Sequence, residues 1–178
     1  GASRVQTSIA IFKSRKFIQE YIKDEDLLPL LFPDDWDINN KKWKTEKPTL
    51  AAGYGVYKDY MQIVPTADLY QVKFETPDPR VSEKLANGSV KRLNNYIRNQ
   101  KIEETERSML FLQKEIDATN IANAQKFLFS LIEEQTKSKM LASVRDEYVF
   151  KVIDPAIVPG GIFRPNVGQI IFIGGLLG

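Results

Sequence analysis

The chain has 178 residues, 43% hydrophobic and 27% charged, with 25 basic residues against 23 acidic ones and a formal net charge of +2. This is a globular composition, long enough for one sizeable core, and its bulk charge gives no reason to expect nucleic acid as a partner. Histidine and cysteine are both absent, which excludes Ser-His-Asp triads, Cys-His pairs, His- or thiolate-bound zinc, imidazole acid-base chemistry and disulfides.

Ser8 to Lys23 reads as a helix. Val5, Ile9, Phe12, Phe17, Ile18, Tyr21 and Ile22 give it an apolar side, with Lys13, Arg15, Lys16 and Lys23 elsewhere. Gly1 and Ala2 lead straight into this pattern without a signal peptide, as in a fragment of a longer protein. Asp24-Glu25-Asp26 is expected to be a solvated turn before the apolar run Leu27 to Phe32, since no spacing of oxygen ligands supplies a metal site.

Pro33 to Pro65 is the least regular stretch. It mixes Trp36, Trp43, Tyr54, Tyr57 and Tyr60 with Asp34, Asp35, Asn39, Asn40 and the lysines 41, 42, 44 and 47. Such rings either pin a long loop to the body or stack on sugar rings; aromatic burial makes the first the ordinary reading. Gly53-Tyr54-Gly55 lacks the third glycine of a phosphate-binding loop and reads as a plain loop.

Leu69 to Thr76 alternates as a strand with one covered face. Pro77 and Pro79 bracket Asp78, an N-cap candidate, and no further proline appears until Pro155. Val81, Leu85, Val90, Leu93 and Ile97 recur at helical spacing. The stripe then narrows to Ile102, Thr105, Met109, Leu112 and Ile116, which is the form of a coiled-coil seam. After a polar interval at Asn120 a second stripe follows: Ile121, Ala124, Leu128, Leu131 and Gln135. A continuous helix from Asp78 to Ala118 would span roughly 60 Å at about 1.5 Å per residue. The spacing therefore predicts an antiparallel helical hairpin over about 78–144 that projects from the body as a stalk; the plainer reading is a hairpin inside a compact domain, kinked near Asn94-Asn95. With Thr105 and Gln135 in it, the seam is weak enough to call for neighbouring copies of the chain. Glu103 with Arg107 and Glu133 with Lys137 stand at i,i+4 spacing and are expected to support each helix.

Tyr148 to Ile153 reads as a second strand sharing a sheet with the first. Two strands make a poor sheet, so a further partner strand is expected, before residue 1. Residues 154–166, with Pro155, Pro159, Gly160-Gly161 and Pro165, form a rigid connector. Residues 167–178 carry no charge. Twelve residues cannot span a bilayer, which needs about 20, and a buried strand or core helix is the plain reading. Behind a proline-rich connector the run nevertheless has the form of a membrane helix cut short, with Gly174 and Gly178 as a GxxxG pair.

Four stretches together carry a family resemblance: 13–17 with 27–32; Phe74-Glu75-Thr76-Pro77-Asp78-Pro79; Asn95 to Leu112; and Arg145 to Pro159. In this order they resemble the polysaccharide co-polymerases, the Wzz-type chain length determinants of the bacterial inner membrane. The resemblance implies an α+β fold with a periplasmic α/β domain, here 1–153, that comprises a small membrane-proximal base and the long projecting helical hairpin (about 78–144), and membrane helices at both ends. It implies a coiled-coil homo-oligomer, ring-forming, with most of this chain in the periplasm. The function it implies is non-enzymatic. The ring sets the chain length of a surface polysaccharide such as O-antigen in lipopolysaccharide biosynthesis, working with a separate polysaccharide polymerase and the growing glycan. No cofactor, metal or catalytic residue is implied. The seam residues singled out for the oligomer or hairpin are Ile102, Met109, Leu112, Ile116, Leu128 and Leu131; those for the membrane junction are Pro155, Pro159, Pro165, Gly174 and Gly178.

Two other functions fit the residues less well. A helical-hairpin adaptor of an envelope export or secretion assembly would use the hairpin without needing the C-terminal junction. A carboxylate glycosidase would need converging acids, but Glu103-Glu104 and Glu133-Glu134 splay by about 100° on their helices.

Overall fold

The computed structural model describes residues 2–66, 69–144, 150–158 and 167–174. The protein is α+β, mostly helical with two small antiparallel sheets. It divides into two compact units, Gly1–Leu93 with Phe150–Gly178, and Asn94–Val149.

In the first unit the expected N-terminal helix is two: α1 (Ala2–Lys13) and α2 (Arg15–Asp24). Ser14 breaks them because its extended backbone and its hydroxyl, which accepts from Phe17 N at 3.2 Å, make it an N-cap. Phe17, Ile18, Tyr21 and Ile22 then turn their apolar face fully inward. At the other end of α2 the Leu27 amide returns to Ile22 O at 2.9 Å and Asp26 to Lys23 O at 3.4 Å, while Asp26 takes a left-handed φ of 47°. This is a Schellman stop, with buried Ile22 and Leu27 as its apolar pair. The short helix α3 (Leu28–Leu31) and a 3-10 turn (Pro33–Asp35) follow.

The stretch expected to be an irregular loop contains ordered strands and a helix. Strands β1 (Trp36–Asp37) and β2 (Lys42–Trp43) form a two-stranded sheet with Trp36 opposite Trp43. Thr49 caps α4 (Leu50–Tyr60), which takes in Gly53-Tyr54-Gly55. Gly53 leaves room for Leu28, whose Cδ2 would lie 2.7 Å from a Cβ there and would have to shift for any larger residue. Strand β3 (Met61–Thr66) follows directly.

The main sheet has the order β3-β4-β6-β5, all antiparallel, with β4 (Leu69–Glu75), β5 (Phe150–Asp154) and β6 (Val167–Gly174). The two strands read from the sequence are thus in one sheet but not adjacent, and the missing partners are β3 and β6 from within the chain. Val167–Gly174 is a strand and not the start of a membrane helix. With a neighbour on each side, a short uncharged run rich in β-branched residues suits a central strand better than a helix. Pro65, which has no amide hydrogen, stands in the edge strand β3, and β5 carries a bulge between Val152 and Asp154.

Helix α5 (Pro79–Ala118) begins where the sequence indicates. Asp78 Oδ1 accepts the Arg80 amide at 2.9 Å, and Pro79 takes the first helical position. The hydrogen bonds from the Arg80 side chain and amide hold the Asp78 carboxyl below its ordinary pKa. Buried Thr76 and Ser82 satisfy each other, with Thr76 N donating to Ser82 Oγ at 3.0 Å and the two hydroxyls 2.8 Å apart. Leu85, Ala86, Val90 and Leu93 join Phe12, Leu31, Tyr57, Val72, Phe74 and Phe150 in the core of this unit. Arg92 pairs with Asp24 of α2.

Candidate functional site

The second unit is built from residues 94–118 of α5 and from α6 (Ala122–Ser143). Ile116 keeps only 5% of its surface, Thr105 is buried, and Ile102, Met109 and Leu112 are half-buried. On α6 Ala124, Leu128, Leu131 and Gln135 are half-buried and Ala142 is buried, whereas Ile121 is exposed and lies outside the stripe. Thr105, a polar member of the stripe, needs no partner across it: its Oγ1 donates to Lys101 O at 2.7 Å, one turn back on its own helix.

Lys139 Nζ of α6 meets Glu106 Oε1 of α5 at 2.6 Å. Gln125 reaches back from the first turn of α6, donating to Thr119 O at 2.8 Å and so occupying a carbonyl just past the end of α5. The ion pairs expected within each helix, Glu103 with Arg107 and Glu133 with Lys137, do not form among the described residues; Lys101–Glu104 at 3.4 Å stands on α5 instead. The six seam residues thus lie on the less exposed faces of these helices. Sequence reading missed the apolar side chains off the stripe. Leu110, Phe111 (62% exposed), Phe127, Phe129, Met140 and Val144 (78%) all face solvent. Their signal lies in the spacing, since Phe111, Phe127 and Phe129 fall between stripe positions.

At the expected junction, Pro155 is exposed and Gly174 ends β6, while Pro159, Pro165 and Gly178 lie outside the described residues. The residue that fixes this region stands far upstream, on α5. Asn87 donates Nδ2–H to Ala156 O at 2.9 Å and accepts Ala156 N–H on Oδ1 at 3.0 Å. Its amide pairs with the chain as another strand would, and Ala156 is 2% exposed beside it. Asn87-Gly88-Ser89 has the form of a glycosylation sequon, and this pairing, inside a helix, occupies its acceptor amide.

The aromatic residues are held in place by one another. Trp36 and Trp43 meet edge to face at 5.0 Å, and Tyr57 is fully buried between Tyr21 and Phe74. Tyr54 has Arg15 and Lys58 over its ring. Burial pushes the Tyr21 hydroxyl up to about 12 and that of Tyr57 well above its ordinary value. The Tyr57 hydroxyl has no partner in bonding geometry among the described residues. Among the described residues no group of three or more acids could hold a metal ion, and no helix is long and apolar enough to cross a membrane. Comparison with family models, curated proteins and solved structures finds no match.

Proposed function

We propose that this chain is the periplasmic part of a non-enzymatic regulator of surface-polysaccharide chain length. It acts at the bacterial inner membrane as a homo-oligomer beside a separate polymerase. The observation that supports this most is the order of elements: strand β4, the Asp78 cap, the 40-residue helix α5, α6 linked to it by Lys139 and Glu106, and strand β5. That order is the one the resemblance implies, with α5 and α6 as the projecting hairpin. With the six seam residues buried or half-buried, the outward Leu110, Phe111, Phe127 and Phe129 are the surface offered to neighbouring copies. On this reading the membrane segments lie outside the described residues.

Two measurements test it. Light scattering over a concentration series should give a discrete multimer well above 20.4 kDa, and Phe111→Glu with Phe127→Glu should dissociate it. Introduced into a bacterium lacking its own length regulator, the full gene should convert an unregulated ladder of surface polysaccharide into a narrow length class. A monomer together with an unchanged ladder overturns the proposal.

One observation favours the second reading, a helical-hairpin adaptor of an envelope assembly. Val167–Gly174 serves as a strand, so the C-terminal junction no longer speaks for a membrane helix there. An unchanged ladder with a protein partner captured through α5 and α6 would select the adaptor.

A further inference from the structure

Asn87 is the one asparagine of this chain that is followed by glycine. We infer that Asn87-Gly88 is a deamidation site held in check by the Ala156 clamp, and that its conversion releases the segment at 155–158.

The reaction needs only the chain and water. The Gly88 nitrogen attacks Asn87 Cγ; the new C–N bond closes a five-membered imide, the Cγ–Nδ2 bond breaks, and ammonia leaves carrying the amide proton of Gly88. Water then opens the imide at one of its two carbonyls, leaving aspartate or isoaspartate at 87. Glycine is the least hindered residue to supply that nitrogen, since it has no Cβ.

The structure fixes both partners of the reaction. A Cβ at 88 would lie 2.2 Å from the Tyr21 hydroxyl oxygen, so packing holds glycine there. The two hydrogen bonds to Ala156 hold asparagine at 87, because no other side chain of that length offers one donor and one acceptor in that pairing. The reactive dipeptide is therefore a consequence of the fold.

The same contacts restrain the chemistry. Attack requires Gly88 N to leave the helical ladder of α5 and Asn87 Cγ to turn away from Ala156. The reaction must therefore pass through a local opening, and its rate is the intrinsic rate scaled by the population of that opening. Both products break the clamp. Aspartate has no N–H to give Ala156 O and sets a carboxylate oxygen against that carbonyl. Isoaspartate adds a methylene to the backbone of α5.

The test incubates the purified chain in mildly alkaline buffer, folded and in denaturant. Aspartate and isoaspartate at 87 are followed by peptide mapping. In denaturant Asn87 should convert faster than Asn39, Asn40 or any other asparagine; in the folded chain conversion should be slower by about tenfold or more, the factor set by local opening. Ala156→Gly, which loosens the clamped segment, should speed the folded-state reaction. Gly88→Ala with Tyr21→Phe, which makes room for the new methyl, should slow it several-fold or more in denaturant as well as in the folded chain. Hydrogen exchange at 150–158 should rise in step with conversion. No product at 87 in denaturant overturns the inference, as do equal rates in the folded and denatured chain. Should Ala156→Gly fail to fold, the comparison of the unaltered chain with and without denaturant still decides.

Discussion

Asp26 holds φ at 47°, a region that costs an ordinary side chain about 1–2 kcal/mol and glycine almost nothing. Asp26→Gly should therefore stabilise the first unit by up to about 1 kcal/mol once the added freedom of the unfolded chain is subtracted. The denaturation midpoint should rise, with the slope unchanged. Tyr21 and Tyr57 set the alkaline limit. Their hydroxyls are raised from 10.0 in the folded protein, Tyr21 to about 12, so folding favours their protonated forms. The stability this lends is fully present below pH 10 and is lost as pH rises through about 12. Unfolding followed at rising pH should show that loss, and Tyr21→Phe should remove part of it. These features are invisible in a sequence. An aspartate after a helix reads as a solvated acid, and nothing in the letters around Tyr57 says that it is enclosed.

At the scale of elements, the stripe at 102–116 and the one read at 121–135, apart from exposed Ile121, were legible because apolar residues three and four apart share one side of a helix and do not share one side of a strand. Ile116→Ala should cost about 2–4 kcal/mol, as expected for a nearly buried aliphatic side chain. Hydrogen exchange should place the loss in α6 and the distal part of α5, with β4 unaffected. Lys139→Ala should cost only about 0.2–1 kcal/mol, and less at high salt, because both partners of its ion pair are substantially exposed. The start of α5 was legible from Pro77-Asp78-Pro79. The elements missed were α4, β3 and the strands β1 and β2. Helix α4 was hidden by two glycines, of which Gly53 is there to let Leu28 approach. Strands β1 and β2 have only two residues each, too few to show a period.

At the scale of the whole chain, what the sequence concealed was pairing. An uncharged run of eight residues satisfies a central strand and the beginning of a membrane helix equally well, and periodicity cannot separate them; the neighbours β4 and β5 do. A chain ending at residue 166 distinguishes the two. With β6 in the sheet, that truncation should abolish cooperative unfolding of the first unit and expose the amides of β4. A membrane helix beginning at 167 would leave both untouched. The position of β6 also sets an order of events during synthesis. β4 can zip to β3 as soon as the pair leaves the ribosome, since Thr66 faces Leu69. Its other neighbour is not yet translated: Leu69 faces Ile173, and 173 − 69 = 104 residues separate them. Until β6 arrives, β4 presents an open edge while α5 and α6 can already form. The nascent chain thus spends its translation with finished helices and an unfinished sheet, the interval in which a holdase is most needed and a mispaired neighbour most costly.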